Sequence, residues 1–435
     1  MVQGSGRQHP GSRQPMNGVA RKVQTTYLVL LLLHTLAASF IWGINTLFLL
    51  DAGLSNTEAF AANAFFTAGM VIFEVPTGVL ADTRGRRTSY LFGTITLVFA
   101  TLLYLLLWRV KAPLAAWAVA SALLGLGFTF FSGAVEAWLV DALTFSGYTK
   151  QGGRLEDVFA RGEIVEGIAM LGGSIAGGVV AQATNLGMPY LLRVGVLVLS
   201  LVTSFALMHD IGFTPRVGTR PFQEIKNVLR DSIASGLARR PVRWIMLTGP
   251  FTGGVTMYAF YAMQPFLLEL WGDERAFGIA GLAAATVAGA QIAGGLLVPH
   301  LKLVFRRRTT VLLTGTLVSV AVLAVIGLAP AFWVVITLLS LWALMFAAVT
   351  PVRQSYLNAL IESKQRATVL SFDSLLGSSG AAVVQPLLGK SADVWGYPTS
   401  YVASAVIQAL AIPFCWLARR ERMPADAMQV EGQGV

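Results

Sequence analysis

A single cysteine, Cys415, is present in 435 residues, so the chain can form neither an internal disulfide nor a cysteine-built metal centre. Histidine is almost as scarce. His9, His34, His209 and His300 are scattered, and no nucleophile–base set or metal-ligand spacing stands out around them. No Gly-x4-Gly-Lys-(Ser/Thr) loop occurs, which argues against an ATPase. Charge is also thin, at 12% of residues, where a soluble globular chain carries about 25%. With 55% hydrophobic residues, the composition is that of an integral membrane protein, and neither enzymatic chemistry nor a cofactor is expected.

Acids are outnumbered by bases, 22 to 32, giving a net charge of +10. The bases occupy short gaps between apolar runs, not one domain face, so they orient the chain in a bilayer and do not mark a nucleic-acid surface. A hydrocarbon core of about 30 Å needs roughly 20 apolar residues per helix. Twelve runs qualify: about 26–50, 57–82, 88–109, 114–142, 157–182, 188–209, 242–270, 276–299, 309–328, 331–357, 367–389 and 397–418. If the gap holding Arg84, Arg86 and Arg87 is cytoplasmic, both termini are too, and only Arg109, Lys111, Arg275 and Lys390 fall outside. Residues 1–25 are expected to be a disordered polar tail without a cleavable signal, because the first apolar run is already of spanning length.

The longest gap divides the runs six and six, and Pro221–Arg230 within it suits a short amphipathic helix on the inner surface. The halves echo one another. Arg86-Arg87-Thr88-Ser89 returns as Arg307-Arg308-Thr309-Thr310, and Trp138–Leu143 as Ser355–Leu360. Gly178-x-x-Ala181-Gln182 returns as Gly389-x-x-Ala392-Asp393. The expected fold is therefore all-α: an N-terminal bundle over 26–210, a linker over 211–241, a C-terminal bundle over 242–420 and a tail over 421–435.

Between the second and third runs stands Gly78-Val-Leu-Ala-Asp-Thr-Arg-Gly-Arg-Arg-Thr. It resembles the signature loop of the major facilitator superfamily, Gly-x-Leu-x-Asp-(Arg/Lys)-x-Gly-(Arg/Lys)-(Arg/Lys). Gly78, Leu80, Asp82, Gly85, Arg86 and Arg87 match; Thr83 replaces the usual base, with Arg84 one place along. The resemblance implies a charged clasp: Asp82 capping the inner end of the eleventh helix, and Arg86 bonded to an acid at the inner end of the fourth, for which Asp141 is placed.

Ionisable groups within spans cost several kcal/mol unless paired or wet, which makes each a functional candidate. Glu74, Glu136, Arg161, Glu163 and Glu166 crowd the first bundle. Glu74 and Glu136 suit proton coupling; alternatively Arg161 neutralises one of them in a structural ion pair. Arg353 holds the repeat position of Glu136 and is expected to meet it across the central cavity, while Arg193 lacks a partner in sequence and is expected to snorkel outward.

The fifth run carries Gly167, Gly172, Gly173, Gly177 and Gly178, in partial resemblance to the glycine-rich helix of the superfamily's proton-driven antiporters; the same spacing equally serves close helix contact. Helices 1, 4, 7 and 10 line the cavity in this superfamily, which nominates His34, Trp42, Asn45, Phe128, Phe131, Trp138, Tyr258, Tyr261, Gln264 and Tyr356. Glu74-Val75-Pro76-Thr77-Gly78 and Glu136–Asp141 together resemble bacterial drug exporters of the macrolide and tetracycline branch. The resemblance implies a monomeric, proton-coupled antiporter of the inner (plasma) membrane that exports small hydrophobic or amphipathic molecules. An importer or facilitator of a metabolite, and a non-transporting receptor, are the alternatives. Epitope tags at residues 84 and 306 are expected on the same face of the bilayer; recovery on opposite faces would remove the two-bundle reading.

Overall fold

The structure is a computed structural model and describes residues 18–215, 237–361 and 366–428, with side chains from 366 to 368 left aside. Every regular element among these residues is helical. In the first half the helices are α1 (Gly18–Trp42), α2 (Asn45–Asp51), α3 (Asn56–Arg84), α4 (Arg86–Val110), α5 (Leu114–Thr129), α6 (Ala134–Phe145), α7 (Leu155–Ala183) and α8 (Gly187–Leu207). The second half holds α9 (Arg240–Met246), α10 (Gly249–Trp271), α11 (Phe277–Val304), α12 (Arg308–Leu328), α13 (Phe332–Leu360), α14 (Arg366–Ala409) and α15 (Ile412–Arg420). Among the described residues, ten stretches are long and apolar enough to cross a membrane; one of them, Val369–Arg420, runs for 52 residues and bends where Gly396 takes φ 81°.

Four expected spans are interrupted: 26–50, 114–142, 242–270 and 397–418. Gly43 and Ile44 separate α1 from α2. The run Phe130–Gly133 separates α5 from α6, with Gly133 at φ 67°, a conformation costly for any residue with a Cβ. Leu247–Thr248 separates α9 from α10 and Leu410–Ala411 separates α14 from α15, whereas the bend at Gly396 falls in the gap expected between the eleventh and twelfth runs.

In the first half α1 packs on α7 and α8, α3 on α5, and α4 on α5 and α8; in the second α10 packs on α14, α11 on α13, and α12 on α13 and α14. The halves meet where α3 lies on α14 and α7 on α11. The α7–α11 seam is glycine-made: a Cβ on Gly178 would stand 2.8 Å from the Gly281 Cα. Gly327, at the tip of α12, lies against the Pro398 carbonyl, close in sequence to Asp393, which bonds the start of α3. Arg306–Arg308 therefore sit at the same end of the bundle as Gly85–Arg87. That end is called the arginine end below, and the opposite one the far end.

Both supposed tails differ from expectation. Helix α1 begins at Gly18, eight residues early, because Ala20, Val23 and Gln24 pack inward as its first turns. After α15 the chain folds back, and Asp426, 3% exposed, accepts hydrogen bonds from the Thr309 amide at 2.7 Å and hydroxyl at 2.8 Å. The first half repeats the device: Asp210, just beyond α8, accepts from the Arg87 amide at 2.9 Å. Arg87 donates to the Phe205 carbonyl at 2.7 Å and Arg308 to the Ala425 carbonyl at 2.6 Å. Gly85 is required on two counts, its φ of 107° and the Asp210 carboxylate lying where a Cβ would go. The linker helix expected over Pro221–Arg230 lies outside the described residues.

Each aspartate supplies an acceptor and a negative charge to a helix N-terminus, worth about 1 kcal/mol apiece. Asp210→Ala and Asp426→Ala should each lower the thermal midpoint of the purified protein by a few degrees, and the Asn variants should keep most of it. Unchanged midpoints in both Ala variants would show that the caps contribute nothing.

Candidate functional site

A cavity of about 230 Å³ lies within the first half, lined by Leu30, Leu31 and His34 of α1, Tyr90 of α4, Phe128, Phe131, Ser132, Val135 and Glu136 around the α5–α6 break, and Glu166 of α7. The break builds it. The chain leaves right-handed helical geometry at Gly133, and Glu136 falls in the first turn of α6, where free amides favour a carboxylate. Rings form its walls: His34 is 4.2 Å from Phe131 and 5.7 Å from Phe128, centroid to centroid. Glu74 accepts from the Ser132 hydroxyl at 2.7 Å. Glu136 and Glu163 are exposed and Glu166 is half-buried. Arg161 forms no ion pair with any of them among the described residues, so the expected neutralisation is absent here; its side chain is exposed.

At the arginine end, Arg86 holds Asp82 at 2.5 Å and stands 4.0 Å from Asp141. Phe213 lies 5.9 Å beneath the same guanidinium. The expected cap by Asp82 on the eleventh helix would involve residues 362–368, which fall outside the described side chains. Gly78 has open space around it, and Arg84 is exposed.

The far end holds the bonds that join the halves. Gln264 of α10, 1% exposed, accepts from the Thr46 amide at 2.9 Å and donates to the Trp42 carbonyl at 2.8 Å, which satisfies backbone left open by the α1–α2 break. Asn45, beside it, donates to Asn63 at 3.0 Å and accepts from the Tyr190 hydroxyl at 3.0 Å. Asp393 accepts from the amides of Asn56 and Thr57 at 2.9 and 2.8 Å, capping α3; Gln182 accepts from the Gly278 amide at 3.3 Å, at the start of α11. The two echo positions, Gln182 and Asp393, thus each cap a helix of the other half. The sequence shows the echo without its purpose. Asp210 and Asp426 escape the sequence reading altogether, although an aspartate just past the sixth and twelfth runs is a readable signal.

Several nominated residues lie elsewhere than expected. Arg353 does not reach Glu136: it forks onto Asp373 at 2.6 and 2.7 Å and donates to the Ile245 carbonyl at 3.1 Å, because Asp373 is the nearer acid on its own half. Arg193 does not snorkel. It is 1% exposed, enclosed with Phe128 and three tyrosines. Trp138 is packed away from the cavity and donates to the His209 carbonyl at 2.7 Å. Tyr258 is buried, bonded to Ser400 at 2.5 Å, and Tyr356 is buried in the core of the second half. Trp42 lies tilted against Phe260 across the halves, and Tyr261 meets Phe260 edge to face. Of the α7 glycines, Gly173 faces Ser39, Gly177 the Phe40 carbonyl and Gly178 the Gly281 backbone; Gly167 and Gly172 have room around them.

A bundle of apolar helices in two similar halves, bonded to each other at one end and with an aromatic and acidic cavity in the first half, defines a polytopic membrane protein of the transporter kind. The sequence model of the Major Facilitator Superfamily matches residues 27–306 and 274–432, and the chain belongs to that superfamily. No curated protein matches it. Among solved structures, the nucleoside transporter NupG aligns with TM-score 0.70 at 12% identity, covering 92% of this chain and 99% of that one. A bacterial homolog of the human lysosomal transporter Spinster, inward-facing and occupied, aligns with TM-score 0.70 at 13% identity over 96% and 100%. The POT family transporter PepTSo aligns with TM-score 0.71 at 11% identity over 92% and 98%. At these identities the likeness is one of fold.

Gln264→Leu leaves the Trp42 carbonyl and Thr46 amide unpartnered while the far end is closed, a penalty of about 2 kcal/mol or roughly a thirtyfold bias toward opening. Spin labels on Thr184→Cys and Asp273→Cys, in a Cys415→Ser background, should report longer distances in that variant. An unaltered distance distribution would show that Gln264 does not hold the far end shut.

Proposed function

We propose that the protein is a proton-coupled exporter of small amphipathic molecules in the inner (plasma) membrane, a monomer whose two six-helix halves rock against each other and so expose and close the first-half cavity walled by α1, α4, α5, α6 and α7. The observation that carries this reading is the cavity itself. It has aromatic walls to hold an apolar body, and Glu136 and Glu166 at one side, free of ion pairs among the described residues, to exchange protons. The arginine end faces the cytoplasm on this reading, by the distribution of bases, and both termini lie there with twelve spans between. Each proton moving down its gradient supplies about 2.3 kcal/mol per 100 mV, enough to drive tenfold or greater accumulation. The Asp82–Arg86–Asp141 cluster and the far-end bonds then act in opposite phases of the cycle.

Import or facilitation of a metabolite is the second reading, favoured by the nucleoside transporter among the fold relatives. In proteoliposomes with an imposed pH gradient, Glu136→Gln and Glu166→Gln should lower gradient-driven flux at least tenfold while leaving solute exchange largely intact. Full driven flux in both variants would remove these acids from coupling, and accumulation in the opposite direction would favour the importer.

A further inference from the structure

Among the described residues, Arg193 is a charge without a counterion. It sits six residues into α8, about 9 Å along the helix axis, within the bundle and 1% exposed. No carboxylate of those residues lies within 4 Å of it, and its Nε is buried without a hydrogen-bond partner. Its neighbours are the Phe128 ring, 5.7 Å from the guanidinium carbon, and within electrostatic reach Tyr104, Tyr190, Tyr261 and His34. Tyr190 and Tyr104 already bond Asn45 and Ser121. A cation–π contact with Phe128 offsets only part of the several kcal/mol that a buried unpaired arginine costs. His34 repeats the pattern, its Nδ1 buried and unpartnered on the cavity wall. Two polar side chains, each with a buried nitrogen that lacks a hydrogen-bond partner among the described residues, thus flank one aromatic ring.

We propose that Arg193 and His34 form a receptor for the anionic head of an amphipathic solute, a carboxylate or comparable oxyanion, with Phe128 as the ring that swings aside to admit it. This rests on the transport reading and narrows its substrate class to organic anions. The carboxylate takes two guanidinium N–H groups side by side, a geometry that lysine does not reproduce.

The test uses full-length protein in zwitterionic phosphatidylcholine nanodiscs, titrated with 2-naphthoate, its neutral amide and the matching naphthyl quaternary ammonium. Binding of naphthoate alone, weakened at least tenfold in Arg193→Gln and partly restored in Arg193→Lys, supports the proposal. So does a ligand-free Arg193→Gln protein more heat-stable than wild type, since a merely structural arginine would lower the midpoint when removed. Equal binding of the amide or the ammonium by wild type overturns it, whether or not the variants fold. Unchanged naphthoate affinity in Arg193→Gln overturns it as well. Competition by phosphatidylglycerol nanodiscs, with no response to naphthoate, assigns the pocket to a lipid headgroup and overturns the solute claim. Flux of any of the three probes in proteoliposomes without anion preference removes this receptor and leaves the transport reading standing.

Discussion

A bilayer offers no water to a stray amide or carbonyl, so every departure from helix must be answered from within the protein. The chain departs from helix at Gly43–Ile44, at Phe130–Gly133 and at Gly396. At the first, the side-chain amide of Gln264 reaches across from the other half and replaces the missing backbone partners. A repair made by the opposite half turns a local defect into a joint. The same constraint governs the helix starts, where Asp393 and Gln182 cap across the halves, and Asp210 and Asp426 cap within them.

This division of labour follows the pseudo-repeat. At the arginine end each half is tied to itself, through an aspartate beyond its last helix and an arginine reaching a late carbonyl. At the far end the ties run between halves. Among the described residues, parting at the far end is what breaks the bonds between the halves, and α7 and α11 meet through Gly178 and Gly281, which leave little to interlock. Charge within the halves is asymmetric too. Arg353 is neutralised by Asp373, whereas the acids around the first cavity keep no base among the described residues.

Membrane character and the signature loop are legible in the sequence because both are local: run lengths, Gly85 with its neighbours, and the excess of arginine in short gaps. The echo between Gln182 and Asp393 is legible as pattern but not as purpose, since its meaning needs two helices distant in sequence to meet. The cavity is half legible. His34, Phe128 and Phe131 line it, but Trp138, Tyr258 and Tyr356 are buried in core packing, because an aromatic on a nominally lining helix reveals nothing of its azimuth. Arg193 defies its sequence reading for a physical reason: snorkelling needs a path to water, and α8 turns that side chain into the bundle, toward Phe128.

The returning segment after α8 bears on how such a chain is made. By the time Phe213 has left the ribosome, the first half holds every partner named above at its own arginine end, Asp210 included. The second half must wait for Asp426, which follows α15, the last of its helices. Nascent-chain maturation therefore proceeds in two stages: the first body can complete its arginine end early, but its far end, with the α1–α2 break and the start of α3, waits for Gln264 and Asp393 of the second body.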